Sequence, residues 1–567
     1  MAKPIKNAPS PSPWDSEVRL LAWLATCVSV FSFLFYFQRG DVLLYGDAVA
    51  HINIARRVFD SKTPGLLQLG TVWLPLPHLL MIPFLLSNEM WRRGVGGSIP
   101  SMAAYVFGVI GIFRLVRGAL SRGAEPARGA EPDRTASLAA WTAAVVYAAN
   151  PNLIYMQTTA MGEALYLAFF IWAVVYFAEA IRGDAGALTK CGLCLAAACL
   201  TRYDGWFLAV AMAATVIVGS FLTGQATAKS PPVFRCRRAA VVKFVLIAAA
   251  AQSLWLAYNT IVYRNPLEFA NGPYSAKAIE RKTQGGANPG HPGSGNPLLA
   301  GMYFLKSAEA NVAENEWLQR AWVLLAVAGI VVAAFTSRSR NADAASSPSG
   351  PWPLLFLLIP VPVYALSVAY GGVPIFIPAW WPFSHYNVRY GLQLLPALAV
   401  ALAILVHRAV RSETWKPRLR LGCVLGTFAF VIASYTSVWR AGPVSLKEAQ
   451  VNMGTRNQLE AQVAVWLEKL PPNATLLMYL GDHVGALQQA GIPLQHAINE
   501  GNHRAWRQPS DPEGLWERAL ADPAQYVDYV IAFEGDSVWQ AVQGRHLSEL
   551  VEIHVTGQAR AVLYRAR

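Results

Sequence analysis

Residues 20–51 read LLAWLATCVSVFSFLFYFQRGDVLLYGDAVAH. The part from Leu20 to Phe37 is an apolar run without charge, about the length that a helix needs to cross the hydrocarbon core of a bilayer. It is long for the core of a signal peptide, and no small-x-small cleavage site follows it. The polar segment after it contains Asp47 and His51. The stretch therefore predicts a spanning helix followed by an acidic segment at the membrane surface.

The rest of the composition extends this reading to the whole chain. Of its 567 residues, 54% are hydrophobic and only 14% are charged, whereas soluble domains carry about 25% charged residues. We predict a mainly α-helical, polytopic membrane protein with about eleven transmembrane helices and a small C-terminal α/β domain on the outer side. The predicted spans are residues 20–37, 98–117, 137–150, 164–181, 187–201, 206–223, 240–262, 318–335, 353–370, 390–407 and 421–439.

The distribution of charge predicts the orientation. The net charge is +13, and every loop on the N-terminal side of the membrane is basic under this arrangement, as the positive-inside rule requires. The loop Pro151 to Glu163, on the other side, contains no Lys or Arg. We expect a multi-pass protein of the cell membrane, taken as a bacterial inner membrane, with residues 1–19 as a cytoplasmic tail and the C-terminus periplasmic or extracellular. No basic helix or RNA-reading motif indicates a nucleic-acid partner.

Two long loops are predicted on the outer side of the membrane domain 20–440. Loop 38–97 contains the stretch WLPLPHLLMIPFLLS (residues 73–87), in which three prolines argue against a straight span and favour a helix lying at the interface. Loop 263–316 contains GGANPGHPGSGNP (residues 285–297), which predicts a mobile segment, either a lid or a plain connector. From residue 441 to 567, a helix at NQLEAQVAVWLEKL and alternating strand and helix patterns predict the α/β domain.

Polar residues at the predicted outer face are the candidates for chemistry, because charge near lipid is costly. Asp47 is a candidate general base, or a metal ligand together with His51 four residues on; a helix cap is the alternative. Glu163 is a candidate second catalytic carboxylate, or a group that complements a helix N-terminus. Two further segments hold Arg-Tyr pairs suited to a phosphate, unless the arginines merely reach toward the interface: Arg202 and Tyr203 followed by Asp204, and His385 followed by Arg389 and Tyr390.

These motifs resemble those of the GT-C superfamily of membrane glycosyltransferases, and within it the bacterial relatives of protein O-mannosyltransferases and of the lipid A aminoarabinose transferase. The matching features are Asp47 in YGDAVAH, Glu163 in TTAMGEAL, Thr201-Arg202 after a short fifth span, and Arg389-Tyr390 before LQLLP. Many relatives have Asp-Glu at the first position, whereas this chain has Asp47-Ala48. The resemblance covers roughly residues 20–440.

The resemblance implies an inverting glycosyltransferase that takes sugar from a polyprenyl-phosphate donor at the outer face. The catalytic carboxylates would be Asp47 and Glu163, and the donor phosphate would meet Arg202, Tyr203, Arg389 and Tyr390. The candidates for contacts to the acceptor or to a metal are His51, Asp204 and His385. A lipid, a glycan or a protein is the expected acceptor; no cofactor is required, and a divalent metal stays open. The alternatives are an O-antigen ligase or polymerase and a transporter of lipid-linked sugars.

Overall fold

The computed structural model describes residues 13–121, 133–184, 186–222, 238–283, 290–342, 352–502 and 513–567. Within these ranges nine segments are long and apolar enough to cross a membrane. They are Ser16–Gln38, Val95–Leu120, Glu163–Ile181, Asp204–Phe221, Arg238–Tyr263, Glu316–Ala334, Trp352–Tyr370, Val388–Arg411 and Pro417–Met453. The chain is therefore a polytopic helical membrane protein, as its sequence predicts.

All eleven predicted spans coincide with helices. The helices of the membrane part are α1 (Pro13–Gln38), α2 (Gly46–Arg57), α3 (Leu76–Leu85), α4 (Asn88–Arg92), α5 (Val95–Leu120), α6 (Arg134–Ala148), α7 (Pro151–Met156), α8 (Glu163–Ile181), α9 (Ala187–Cys199), α10 (Asp204–Leu222), α11 (Arg238–Tyr263), α12 (Glu268–Asn271), α13 (Ala276–Thr283), α14 (Pro297–Val312), α15 (Glu316–Ala342), α16 (Pro360–Tyr370), α17 (Leu395–Arg411) and α18 (Pro417–Ala441). Two predicted spans, the third and the fifth, are the short helices α6 and α9, of 15 and 13 residues.

Loop 38–97 folds into short helices. A 3₁₀ turn at Asp41–Leu43 leads into α2, a second at Leu66–Leu69 follows it, and α3 and α4 complete the loop. Of the three prolines of the apolar stretch, Pro75 directly precedes helix α3, Pro77 lies in its first turn and Pro83 lies inside it. Its ten residues extend about 15 Å, half the thickness of the hydrocarbon core, so it is too short to span.

Loop 263–316 contains more regular structure than its sequence predicts. The first part of the Gly- and Pro-rich stretch lies outside the described residues. Directly after it, α14 runs for 16 residues, with Asn296 capping the Leu299 backbone N–H and a proline in its first turn. Such a start is typical of helices. Helix α14 packs against α16 and against the 3₁₀ helix Val388–Leu394.

The C-terminal part begins with α19 (Val444–Met453) and forms a five-stranded sheet. Strand order is β2-β1-β3-β5-β4; β1 pairs in parallel with β2 and β3, and β5 is antiparallel to β3 and β4. The elements are α20 (Arg456–Leu467), β1 (Leu476–Met478), α21 (Gly485–Ala490), β2 (Ala497–Ile498), α22 (Leu515–Ala521), α23 (Pro523–Tyr526), β3 (Tyr529–Phe533), α24 (Ser537–Val542), β4 (Ser548–Ile553) and β5 (Ala561–Arg565). This is the small α/β domain that the sequence predicts.

Candidate active site

Arg389 lies at the centre of a cluster of charged side chains. Its guanidinium group donates from Nη2 to Asp47 Oδ2 at 3.1 Å and from Nε to Glu163 Oε1 at 3.1 Å. The other terminal nitrogen, Nη1, pairs with Glu448 Oε1. The Arg389 side chain is only 5% exposed, so these carboxylates, rather than water, compensate its charge.

Arg202 forms the second half of the cluster. Its Nη1 donates to the same Glu163 Oε1 at 3.2 Å, and its Nε donates to Asp204 Oδ2 at 2.9 Å. Its Nη2 donates to the Tyr364 hydroxyl at 3.1 Å, and that hydroxyl donates to Asp204 at 2.8 Å. Glu163 is therefore a bridge that holds the two guanidinium groups side by side.

Aromatic rings pack against both guanidinium groups of the cluster. The Tyr390 ring centroid lies 4.8 Å from Arg202 Cζ and 5.1 Å from Arg389 Cζ. On another side of Arg389, the Tyr45 centroid lies 4.9 Å from its Cζ. These cation–π contacts stabilise both guanidinium groups and limit the orientations they can adopt.

The four carboxylates differ in their access to solvent. Glu448 and Glu163 are 0% and 1% exposed, and Asp204 is 14% exposed. Asp47 is 46% exposed while it still contacts Arg389. Asp47 is therefore the carboxylate of this cluster that a second molecule can reach.

Helix ends bring the charged residues together. Asp47 lies in the first turn of α2, Glu163 begins α8, Arg202 follows α9, and Arg389 lies in the 3₁₀ helix Val388–Leu394. A carboxylate in the first turn of α8 is stabilised by the helix dipole. Gly391 lets the 3₁₀ helix approach α14, because a Cβ at this position would collide with the backbone of Ser307.

Asparagine side chains fix the backbone around Arg389. Asn387 has φ of 56°, a left-handed conformation that Asn adopts more readily than most residues, and its Nδ2 donates to Pro374 O at 2.8 Å. Asn311 Nδ2 donates to Val388 O at 2.8 Å. Asn150 and Asn152 in turn donate to Asn311 O. The position of Arg389 is thus set by side chains from α7, α14 and the preceding loop.

Three of the predicted site residues have other partners. His51 Nδ1 lies 2.8 Å from His78 Nε2, and burial lowers the pKa of His51, so the imidazole is neutral at pH 7. The Tyr203 hydroxyl donates to Val72 O at 3.1 Å and accepts from Trp255. His385 is influenced by the charges of Lys447 and Glu314, and burial lowers its pKa.

A metal role for His51 finds no matching ligands in the part of the chain that the structure describes. Among the described residues no group of three or more His, Cys, Asp or Glu side chains is arranged to hold a metal ion. One ring nitrogen of His51 is already occupied by its contact with His78.

The sequence did not point to Glu448, Tyr45 or Tyr364. Glu448 lies in the polar segment VSLKEAQVNM, beyond the last predicted span and inside the predicted α/β domain. The residues of α19 that face inward are Val444, Ser445, Leu446, Glu448 and Ala449. Glu448 shares the inward face of α19 with small and apolar residues. This position, read from helical periodicity, is the signal that could have indicated a buried carboxylate.

No family model and no curated protein sequence matches this chain. Solved structures do match. ArnT from Cupriavidus metallidurans in the apo state superposes with a TM-score of 0.54 at 13% identity, covering 98% of this chain and 99% of that chain. The same protein bound to undecaprenyl phosphate gives a TM-score of 0.49, with 13% identity and the same coverage.

An archaeal protein is also similar. The oligosaccharyltransferase AglB from Archaeoglobus fulgidus, in complex with an inhibitory peptide and a dolichol-phosphate, gives a TM-score of 0.47 at 11% identity, over 98% of this chain and 75% of that chain. The match to apo ArnT extends over nearly the full length of both chains, membrane part and C-terminal domain together. The chain therefore has the same overall fold as ArnT.

Proposed function

We propose that this chain is an inverting glycosyltransferase that moves a sugar from a polyprenyl-phosphate carrier to an acceptor hydroxyl at the outer face of the membrane. One observation carries the proposal: Asp47 is half-exposed at the edge of a cluster in which the buried Arg389 and the partly buried Arg202 pair with other carboxylates. An accessible base beside phosphate-binding groups is what this reaction requires.

In the proposed reaction Asp47 accepts the proton of the acceptor hydroxyl. The acceptor oxygen then attacks the anomeric carbon, and the bond between that carbon and the phosphate oxygen breaks. The phosphate leaves with the bonding electrons, so the electron count balances without a redox partner. Attack from the side opposite the leaving group inverts the configuration of the sugar.

Arg202 and Arg389 are proposed to bind the departing phosphate. A guanidinium group has five N–H donors, and each arginine directs only some of them at the contacts described above. The remaining donors can meet phosphate oxygens, whose negative charge grows as the sugar leaves. We propose that Glu163 keeps the two guanidinium groups in register, since its Oε1 contacts both.

The class of donor and the orientation also belong to the proposal. The chain shares its fold with ArnT, a lipid A aminoarabinose transferase whose structure is also known with undecaprenyl phosphate. A carrier of the same polyprenyl-phosphate class would reach the cluster from the bilayer. The acceptor would be a lipid, a glycan or a protein hydroxyl, and the N-terminus would be cytoplasmic.

The test is turnover of polyprenyl-phosphate sugars by purified protein in nanodiscs, with a mixed panel of acceptors. Release of polyprenyl phosphate from one donor is the expected result. Asp47→Asn should lower kcat by about 10²- to 10⁴-fold, because only the base is removed. The measurement is the rate of polyprenyl phosphate release at saturating donor.

Asp41→Asn is the matched control. Asp41 lies in the same loop and pairs with Arg39 rather than with the cluster, so its variant should turn over at the wild-type rate. Full activity in Asp47→Asn, or no release from any donor of a broad panel, contradicts the proposal.

A further inference from the structure

The helix that opens the C-terminal domain contributes a carboxylate to the cluster. Glu448 is fully buried, and its Oε1 pairs with Arg389 Nη1. Its Oε2 accepts the backbone N–H of Arg389 at 3.2 Å. One carboxylate therefore holds both the main chain and the side chain of Arg389.

Helix α19, which carries Glu448, is itself fastened at its first turn. The Ser445 backbone N–H and hydroxyl donate to Asn152 Oδ1 at 3.0 and 2.9 Å. The Tyr45 hydroxyl donates to Ser445 O at 2.7 Å. Because Tyr45 precedes Asp47 by two residues, α19 is connected to the segment of the proposed base as well as to Arg389.

We propose that Glu448 is a positioning residue that sets the orientation of Arg389 for the donor phosphate. This inference rests on the proposed role of Arg389 in donor binding. Asp47, Glu163 and Glu448 each take a different nitrogen of the guanidinium group. Glu448 attracts Nη1, whereas Asp47 attracts Nη2. Without Glu448, the planar guanidinium group is free to turn and pair with Asp47 through two nitrogens. Such a pair would occupy the base and redirect the donors intended for the phosphate.

Glu448→Gln is the first variant, since it keeps the shape of the side chain and removes its charge. We expect the donor KM to rise and kcat to fall, each by about tenfold, the lower end of the range for residues that orient the ligands of a metal ion. Glu448→Asp keeps the charge on a shorter side chain and should recover part of both losses. The measurement is donor-concentration dependence of turnover, normalised to the fraction of protein that elutes as folded monodisperse particles.

Glu17→Gln is the matched control. Glu17 also accepts from an arginine, Arg117, and from two further side chains, Ser137 and Trp141, but it belongs to α1 at the opposite end of the membrane part. Its variant should leave donor KM and kcat unchanged. A merely structural role of Glu448 would lower the amount of folded protein and leave the donor KM of the remainder at the wild-type value, which would overturn the inference.

A second measurement needs no sugar donor. Arg389→Gln leaves the buried Glu448 without its charge partner and should lower the midpoint of thermal unfolding by several degrees. Adding Glu448→Gln to Arg389→Gln removes the unpaired charge, so the double variant should unfold at a higher temperature than Arg389→Gln alone. If the decrease in the double variant equals the sum of the decreases in Arg389→Gln and Glu448→Gln, the two residues are not coupled, and the inference is overturned. Failure of every sugar donor with wild-type protein, combined with this coupling, would instead count against the proposed reaction.

Discussion

Asp47 and Glu163 contact the same guanidinium group and differ in their surroundings. Glu163 lies between two arginines at the start of α8 and is almost completely buried. Asp47 contacts one arginine, and about half of its side chain is exposed to solvent. The same chemical group therefore suits two roles: a fixed negative charge that organises the arginines, and a base that an acceptor hydroxyl can approach.

Glu460, in the C-terminal domain, gives a pH-dependent contribution to stability. Its side chain is 4% exposed and lies 3.9 Å from Arg456. Burial outweighs this arginine and raises the pKa of Glu460 to about 7 from the ordinary 4.5. The folded state therefore retains a proton that the unfolded chain loses above about pH 4.5.

The sign follows from that difference. The contribution of Glu460 to the free energy of unfolding is full below pH 4.5, decreases as the pH rises toward 7, and is constant above it. A pKa difference of this size is worth about 3 kcal/mol. The midpoint of thermal unfolding of wild-type protein should fall between pH 5 and pH 8. In Glu460→Gln, which lacks this titrating group, we expect a smaller fall over the same range. Parallel pH profiles of the two proteins, measured by intrinsic fluorescence, would contradict this prediction.

At the level of elements, helices α14 and α19 hold the segment of Arg389 from two sides. Helix α14 approaches the 3₁₀ helix Val388–Leu394 at Gly391, and α19 reaches it through Glu448. Short helices at the ends of the spans thus decide the geometry of the cluster.

Gly391→Ala tests the contact with α14. The added Cβ would overlap the backbone at Ser307 and Ala308, which cannot move as a flexible side chain would. The strain should lower the free energy of unfolding by about 1–3 kcal/mol, the usual cost of overpacking, and reduce turnover because Arg389 is two residues away. Thermal unfolding and the rate of polyprenyl phosphate release are the measurements.

Gly422→Ala is the control for this change. Gly422 lies in α18, and no atom lies within 4 Å of a Cβ built there. Alanine favours a helix over glycine by up to about 1 kcal/mol, so this variant should be as stable as wild type or slightly more so. Equal effects of the two substitutions would show that the packing against α14 does not constrain the 3₁₀ helix.

At the level of the whole molecule, the C-terminal domain is attached to loop 38–97 by many polar contacts. Asn53 donates to Gln488 at 2.7 Å, and Gln488 donates to Trp91 O at 2.8 Å. Nearby, the Gln495 backbone N–H donates to Asp60 and Gln68 donates to Gly501 O. The domain therefore lies against the loop that carries Asp47, which requires both to be on the same side of the membrane.

The orientation of the chain is tested by chemical labelling in sealed right-side-out vesicles. Glu552 lies in β4 of the C-terminal domain, and Glu413 lies between α17 and α18; both are exposed. In a variant that lacks the native cysteines, Glu552→Cys should react with a membrane-impermeant maleimide without lysis. Glu413→Cys should react only after lysis. The reverse pattern would place the proposed site in the cytoplasm and contradict the proposed use of donor at the outer face.

Much of this architecture follows from the sequence. A long apolar run must form a helix in lipid whatever its neighbours are, so the spans could be predicted one by one. The basic loops predict the orientation by the same kind of local argument. Asp47, Glu163, Arg202 and Arg389 stood out because each is a charged residue next to an apolar run.

Which of these residues meet was decided by the tertiary structure alone. Arg389 and Asp47 are 342 positions apart, and no local pattern specifies a contact at that separation. The partner of His51 proved to be His78, and Tyr203 is bound to loop 38–97 and α11. Glu448 lies in a polar segment where a carboxylate is ordinary, and it acquires its place beside Arg389 only when α19 packs on α7. Local composition determines the helices and predicts their sides of the membrane, whereas exposure and pairing of charges depend on how the helix ends come together.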